Sequence, residues 1–420
     1  MRYLYTLVAY LLAPVFCGVL LFRGLRDRRY WRNFGQRFGR GEPVAQPSIW
    51  VHAVSVGEVQ AAAVFVRCLH DRYPGIPLVV TTLTPTGDER ARILLGDRAS
   101  VRFMPLDLPA SVRRFFDCVR PRIAVIFETE LWPNIYHECG RRRVPLVLAS
   151  ARISPRSMDR YSRFLSLFRQ ALSHGIVIAA QGEDDAARFR RLGANPDRTH
   201  VTGNLKFDFA LPPDVSTKGH ELREHYAAGR PVWVAGSTHA GEEQLVLEAH
   251  RHVRRIHPKA ILVLAPRHPQ RFVEVGAWLE KQNVRFIRRS QPAARTPDLE
   301  VVLVDTLGEL LDFYAMGDVA FVGGSLVTVG GHNLLEPAAL GQPVLTGPHN
   351  FNSADVAKLL IERGAAQVVK DATELGQRVA ALLSDPAERA RIGALGRASV
   401  EDNRGALDKL LSLIDPLMRQ

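Results

Sequence analysis

The sequence predicts two doubly wound α/β domains, on three observations. Short apolar runs alternate with helix-length segments from residue 43 onward. The runs are almost continuously hydrophobic, as strands of a parallel sheet covered on both faces must be. A polar, proline-bearing stretch then divides the alternation near its middle. In the first half the expected strands are 48–56, 77–83, 100–106, 122–128, 144–150, 175–181 and 200–205, with helical periodicity over segments such as 58–73 and 108–119. The stretch 208–219, centred on Pro212 and Pro213, reads as a linker. Strands resume at 231–236, 260–265, 284–288, 301–305, 319–323, 343–346 and 366–369, and helical segments close the chain through Leu417. The expected organisation is an anchor and basic segment over 1–42, α/β domains over 43–207 and 220–400, and a C-terminal helix over 401–420. Ligands of such sheets bind beyond the carboxyl ends of the strands, facing the cleft between the halves, so chemistry is sought there.

Composition narrows the class. The 420 residues are 46% hydrophobic and carry 55 Lys+Arg against 43 Asp+Glu, a formal charge of +12, which excludes an intrinsically disordered chain. Cys17, Cys68, Cys118 and Cys139 are scattered without a C-x-x-C pair, so buried thiols are expected rather than disulfides or zinc. No metal and no cofactor are expected. Residues 1–42 contain eight Arg against Asp27 and Glu42 alone. Twenty uncharged residues, Tyr3 to Phe22, precede most of them, a length that in a helix matches the hydrocarbon core of a bilayer. Seven Arg (23, 26, 28, 29, 32, 37 and 40) follow the apolar run and no small-x-small site separates the two, so a membrane segment is expected rather than a signal peptide. The positive-inside rule keeps everything from residue 23 onward in the cytoplasm. The segment is of minimal length with Pro14 near its middle, so spanning the bilayer and lying in it are both open readings.

The first half offers three carboxylates. Ser55-Val56-Gly57-Glu58 follows the first strand, and Ser-x-x-Glu is a helix capping box. Its other reading makes Glu58 a general base at a strand end. Phe127-Glu128-Thr129-Glu130-Leu131-Trp132-Pro133 ends another strand, and carboxylates at i and i+2 of an extended tip share a side, suited to a hydroxyl-rich ligand or a proton. Favourable charge at a helix N-terminus is the alternative. Lys206 reads as an exposed surface residue. Arg152, Arg156, Arg160 and Arg163 recur at helical spacing beside the run Arg141-Arg142-Arg143. That is a solvated basic face or, next to a bilayer, a grip on anionic lipid. No nucleic-acid module accompanies the charge.

The second half offers a phosphate cradle. Gly323-Gly324-Ser325 ends a strand, and Gly330-Gly331-His332-Asn333-Leu334-Leu335-Glu336-Pro337 leads into a helix whose first turn must hold Pro337. The amides of Gly331 through Asn333 are then expected to face an anion, with Glu336 placed for ribose hydroxyls. Gly236-Ser237-Thr238-His239 and Pro266-Arg267-His268 end neighbouring strands and strengthen that reading. Thr306-Leu307-Gly308-Glu309 is a second Ser/Thr-x-x-Glu box whose backbone is available to a base.

Taken together, these segments resemble the Kdo (3-deoxy-D-manno-octulosonic acid) transferases of Gram-negative bacteria. The resemblance rests on the motifs above together with 52–58, 81–87, Ala151-Arg152-Ile153-Ser154, Gly203-Asn204-Leu205-Lys206 and 235–239, in the same order along nearly the whole chain. It implies a GT-B fold, acceptor domain first, and inverting, metal-independent transfer of Kdo from CMP-Kdo to lipid IVA at the anionic inner membrane. It puts the catalytic base on Glu58 and the CMP contacts on Pro266, Arg267, Leu307, Gly308, Glu309, Asn333, Leu334, Leu335 and Glu336. Ser55, Gly57, Glu128, Glu130, Arg152, Lys206, Ser237 and Thr238 are carried as acceptor or auxiliary positions. A transferase of the same fold using a UDP-hexosamine and another membrane lipid is the alternative.

Overall fold

In a computed structural model the described residues are 2–128, 130, 132–162, 169, 172, 175–291 and 296–419, and the side chains of 156, 159, 160 and 162 lie outside the description. The chain forms two compact units: residues 1–209 together with 403–420, and residues 210–402. Each is built on a seven-stranded sheet. The first contains β1 (Ser48–His52), β2 (Leu78–Thr82), β3 (Ser100–Phe103), β4 (Pro121–Phe127), β5 (Leu146–Ala151), β6 (Val177–Ala180) and β7 (Thr199–Val201). Its order is β3-β2-β1-β4-β5-β6-β7, every pair parallel. The second contains β8 (Val232–Thr238), β9 (Ile261–Pro266), β10 (Phe286–Arg288), β11 (Val301–Leu303), β12 (Val319–Val322), β13 (Val344–Thr346) and β14 (Ala366–Val368). Its order, β10-β11-β9-β8-β12-β13-β14, is again parallel throughout.

All fourteen expected strands are present, with ends that differ by no more than four residues from those expected. β1 shows the logic: Ile49 and Val51 enter the core on one face of the sheet and Trp50 the core on the other, and the buried polar residues at its two ends, Ser48 and His52, are hydrogen-bonded to Val119 and Thr81. The sheet reverses direction between β1 and β4 in the first unit, and between β8 and β12 in the second. Such switch points open a crevice beyond the strand ends. The segments after these four strands are 53–58, 128–130, 239–241 and 323–325, all within or beside the motifs singled out above.

Four local expectations are revised. Residues 28–42 are not a free juxtamembrane segment but pack on the first unit, where the Gln36 side chain accepts from the Phe103 amide at 2.9 Å. Arg37 is 1% exposed, with its guanidinium 4.4 Å over the Phe103 ring and donating to the Leu83 carbonyl, so it is a core residue and not a lipid-facing cation. The 208–219 stretch is only partly a linker, since the helix Val215–Tyr226 begins inside it. The closing helix, Ala406–Met418, returns to the first unit. There Ala406, Leu410, Leu411, Ile414 and Met418 join the core under β1 and β4, and Asp415 binds Arg72 and the Tyr73 hydroxyl.

Candidate active site

In the first unit the capping box forms. Ser55 caps the helix Val56–Arg72 and accepts from the Glu58 amide, while the two Glu58 carboxylate oxygens accept from the Val54 amide and the Ser55 hydroxyl, each at 2.9 Å. Glu58 is half-buried, and its pKa is nevertheless raised: burial contributes most and the negative charge of Glu128 adds to it, against the lowering effects of Val54, Ser55 and Lys206. A carboxylate that accepts two hydrogen bonds yet remains more basic than usual suits proton abstraction. The capping and the basic readings therefore describe one side chain.

Glu128 lies at the end of β4 with φ +57°, left-handed backbone that is uncommon away from glycine and concentrated at functional sites. Arg152 donates to its carboxylate at 3.0 Å and Lys206 lies 3.5 Å away. The Lys206 side chain is only 17% exposed, so the surface-lysine expectation fails. The turn Leu205–Phe207, capped by Asn204, folds it inward. Glu130 is pushed up to about 7 by burial first and then by the charges of Glu58 and Glu128. Glu58, Glu128, Glu130, Arg152 and Lys206 thus form one electrostatically coupled group at the β1/β4 switch point. Gly57 is exposed, and a side chain there would meet open space. Thr129, Leu131 and Arg163, and the side chains of Arg156 and Arg160, lie outside the described residues. Arg141 and Arg142 pair with Glu138, while Arg141 and Arg143 remain exposed, so the run is in part a solvated basic face.

In the second unit the expected cradle takes a different form. The helix after the glycines is short, Leu335–Ala339, and the Gly330 and Gly331 amides both donate to the Gly324 carbonyl, so Gly331 does not face an anion. The turn after β12 is likewise occupied: the fully buried Glu242 carboxylate accepts from the amides of Gly324, Ser325, Leu326 and His239. Thr238 is fully buried and donates to Glu243, which also pairs with Arg271 at 3.1 Å, so its hydroxyl supports the loop from within. Ser237 stands beside it at φ +57°. Leu334 and Leu335 are buried, leaving their backbone as the part able to meet a ligand. Thr306 and Glu309 do touch, but the helix starts after them at Leu310, and Glu309 pairs with Arg289 at 2.7 Å. Leu307 is 69% exposed beside Gly308, and Asn333 is exposed. Pro266 ends β9, where the Arg267 amide donates to the Thr238 carbonyl and the Arg267 side chain is exposed.

His239 and His268, which the motif reading attached to the cradle, come together here with His332. His239 and His332 share a hydrogen bond between their Nε2 atoms at 2.7 Å, and the His268 ring meets His239 edge-on at 5.0 Å. Burial, His268, Arg267 and Arg271 depress His239 to about 4; burial, His239, Arg267 and His268 depress His332 to about 3. Neutral imidazoles thus stand beside the exposed Arg267, while the nearby Arg271 is already paired with Glu243. The sequence carries part of the signal for it, because His239 and His268 stand just beyond the neighbouring strands β8 and β9, whereas His332 comes from the glycine-rich loop ten residues after β12.

Comparison with known proteins matches this arrangement to one family. Residues 32–209 match the family model described as 3-deoxy-D-manno-octulosonic-acid transferase (kdotransferase). The chain is 38% identical to a 3-deoxy-D-manno-octulosonic acid transferase of Haemophilus influenzae, over 100% of this chain and 99% of that one. The chain belongs to the Kdo transferase family. A second such transferase, from Bordetella pertussis, is 37% identical over 99% of each chain. The Kdo transferase fold is of GT-B type: a UDP-GlcNAc 2-epimerase from Neisseria meningitidis superposes with a TM-score of 0.57 at 12% identity, covering 88% of this chain and 99% of that one. A Kdo transferase is a glycosyltransferase, and both switch points described above belong to that enzyme.

Proposed function

We propose that this Kdo transferase moves Kdo from CMP-Kdo onto lipid IVA at the cytoplasmic face of the inner membrane, with inversion and without a metal ion. The acceptor is assigned to the first unit and the donor to the second. Glu58 takes the proton of the attacking lipid hydroxyl as oxygen bonds to the anomeric carbon and CMP departs. Arg267 balances the phosphate charge that CMP carries away, and the neutral histidines offer ring N–H groups to its oxygens. Arg152 and Lys206 pair with Glu128 beside Glu58, and the three carboxylates orient acceptor hydroxyls. Exposed Leu307 and Gly308, with Asn333 and the backbone of Leu334 and Leu335, are assigned to the nucleoside, and Glu336 to its ribose.

The observation that carries this reading is the raised Glu58 carboxylate in the first turn of the helix that follows β1, the strand beside the reversal of the sheet. Purified protein is incubated with CMP-Kdo and lipid IVA, with and without chelator, and product mass is read. Transfer is expected in both conditions. Glu58→Gln is expected to lose at least about a thousandfold in kcat with CMP affinity retained, consistent with losing a general base; near-normal turnover by that variant would remove Glu58 from the role.

A further inference from the structure

The helix Arg2–Arg26 is about 37 Å long at 1.5 Å per residue, enough to cross a bilayer. Its contacts with the rest of the first unit run against a crossing. Near its start, the Tyr5 hydroxyl binds the Asp107 carboxylate and the Thr6 hydroxyl donates to Asn134 at 3.0 Å. Near its end, Leu20 and Gly24 are buried, and the Trp31 indole folds back to donate to the Leu21 carbonyl at 3.0 Å. Gly24 makes room for that return, because a Cβ there would come within 1.8 Å of the indole nitrogen. Between the two ends the covered or half-covered positions are Ala9, Ala13 and Cys17, continuing the same stripe at intervals of three or four. One face therefore lies along the unit for its whole length, and the opposite face exposes Leu4, Leu7, Leu11, Val15, Val19 and Phe22.

A helix crossing the hydrocarbon would carry Tyr5 and Gly24 to opposite surfaces. The same folded unit touches both, so it would have to enter the hydrocarbon with them. That is forbidden by what surrounds the Tyr5 end: Asp107, 6% exposed and accepting from the Asn134 and Ile135 amides, and a cavity of about 240 Å³ lined by Arg2, Arg113, Glu138 and Arg141 among others. Arginines flank both ends of the helix, Arg2, Arg113 and Arg141 at one and Arg23, Arg26 and Arg28 at the other, which matches two ends held at one charged interface. We propose that this helix lies in the plane of an anionic bilayer, its Leu4–Phe22 face immersed and its other face on the protein, without crossing. The proposal rests on the membrane location given above and adds its geometry.

The full chain, with its four cysteines replaced by serine, is given Thr6→Cys and Asn134→Cys and bound to vesicles of phosphatidylethanolamine and phosphatidylglycerol. A short thiol cross-linker is expected to join the two positions in floated, vesicle-bound protein as completely as in detergent. Absence of the cross-link on vesicles alone overturns the in-plane geometry. Should the double variant not fold, a fluorophore on Leu4→Cys, Leu11→Cys or Val19→Cys singly, quenched by lipids brominated at known depths, gives the second reading. One shared depth, on the order of 5–10 Å below the headgroups, is expected. A profile deepest at Leu11 overturns the proposal, and failure to float at all overturns both it and the membrane location.

Discussion

A protonated carboxyl cannot act as a base, so the residues that set the charge on Glu58 set the acid side of the pH profile. The raised pKa of Glu58 puts the loss of kcat/KM on acidification above the ordinary carboxylate range. Lys206→Met removes a cation that lowers Glu58 and is expected to move that limb further up. Glu128→Gln removes an anion that raises it, and is expected to move the limb down. Rate profiles of the two variants shifting the same way would refute the coupling. Glu130 makes a separate prediction, about stability. Its folded pKa of about 7 lies above the unfolded value near 4.5, so the stability linked to its proton is complete at pH 4 and lost as pH rises through 7. Glu130→Gln should therefore leave unfolding unchanged at pH 4 and stabilise the protein by on the order of 2 kcal/mol at pH 8, read from urea titrations at both values. The identity of these carboxylates was legible in the sequence because they stand at strand ends. The inward turn of Lys206 was not, since it depends on a contact between β4 and a turn more than seventy residues away.

At the scale of elements, the strands were legible because parallel strands buried on both faces leave no alternation to misread. What escaped was where helices dock. The sequence 406–418 announces an amphipathic helix, but nothing in its own pattern says which sheet it covers. The answer lies in Asp208, which looks like a linker residue. Its carboxylate accepts from the Gly405 and Leu407 amides, both at 2.6 Å, and so satisfies the start of a helix nearly two hundred residues later. Asp208→Ala leaves those amides without their acceptor and is expected to cost about 1–2 kcal/mol in denaturant unfolding of the first unit, with Asp208→Asn recovering part of it. The glycine cradle was misjudged for a similar reason. The Gly331 amide, expected to face an anion, is spent on the Gly324 carbonyl, and the buried Glu242 carboxylate occupies the amides of Gly324, Ser325 and Leu326.

Across the whole molecule, the two units differ in continuity. Residues 210–402 form the second from one unbroken stretch, whereas the first needs both 1–209 and 403–420. The C-terminal helix brings Ala406, Leu410, Leu411, Ile414 and Met418 into the first unit's core, each at most 7% exposed. Burying a leucine, isoleucine or methionine contributes about 1.5–3 kcal/mol, so four such residues are comparable with the entire stability of a domain, about 5–15 kcal/mol. A fragment of 1–209 alone is therefore expected to fail to fold cooperatively, and one with 403–420 rejoined through a flexible linker to recover a sigmoidal urea transition. The fragment 210–402 is one continuous stretch with its own buried core, and it contains Arg267, Arg271, His239, His268 and His332 together. It is expected to fold alone and to gain thermal stability on adding CMP, by about 2.7 kcal/mol at a hundredfold excess over Kd. Arg267→Ala in that fragment should diminish the gain while leaving the ligand-free transition in place. A fragment that folds yet gains nothing from CMP would take the donor site away from the second unit, even with the fold intact.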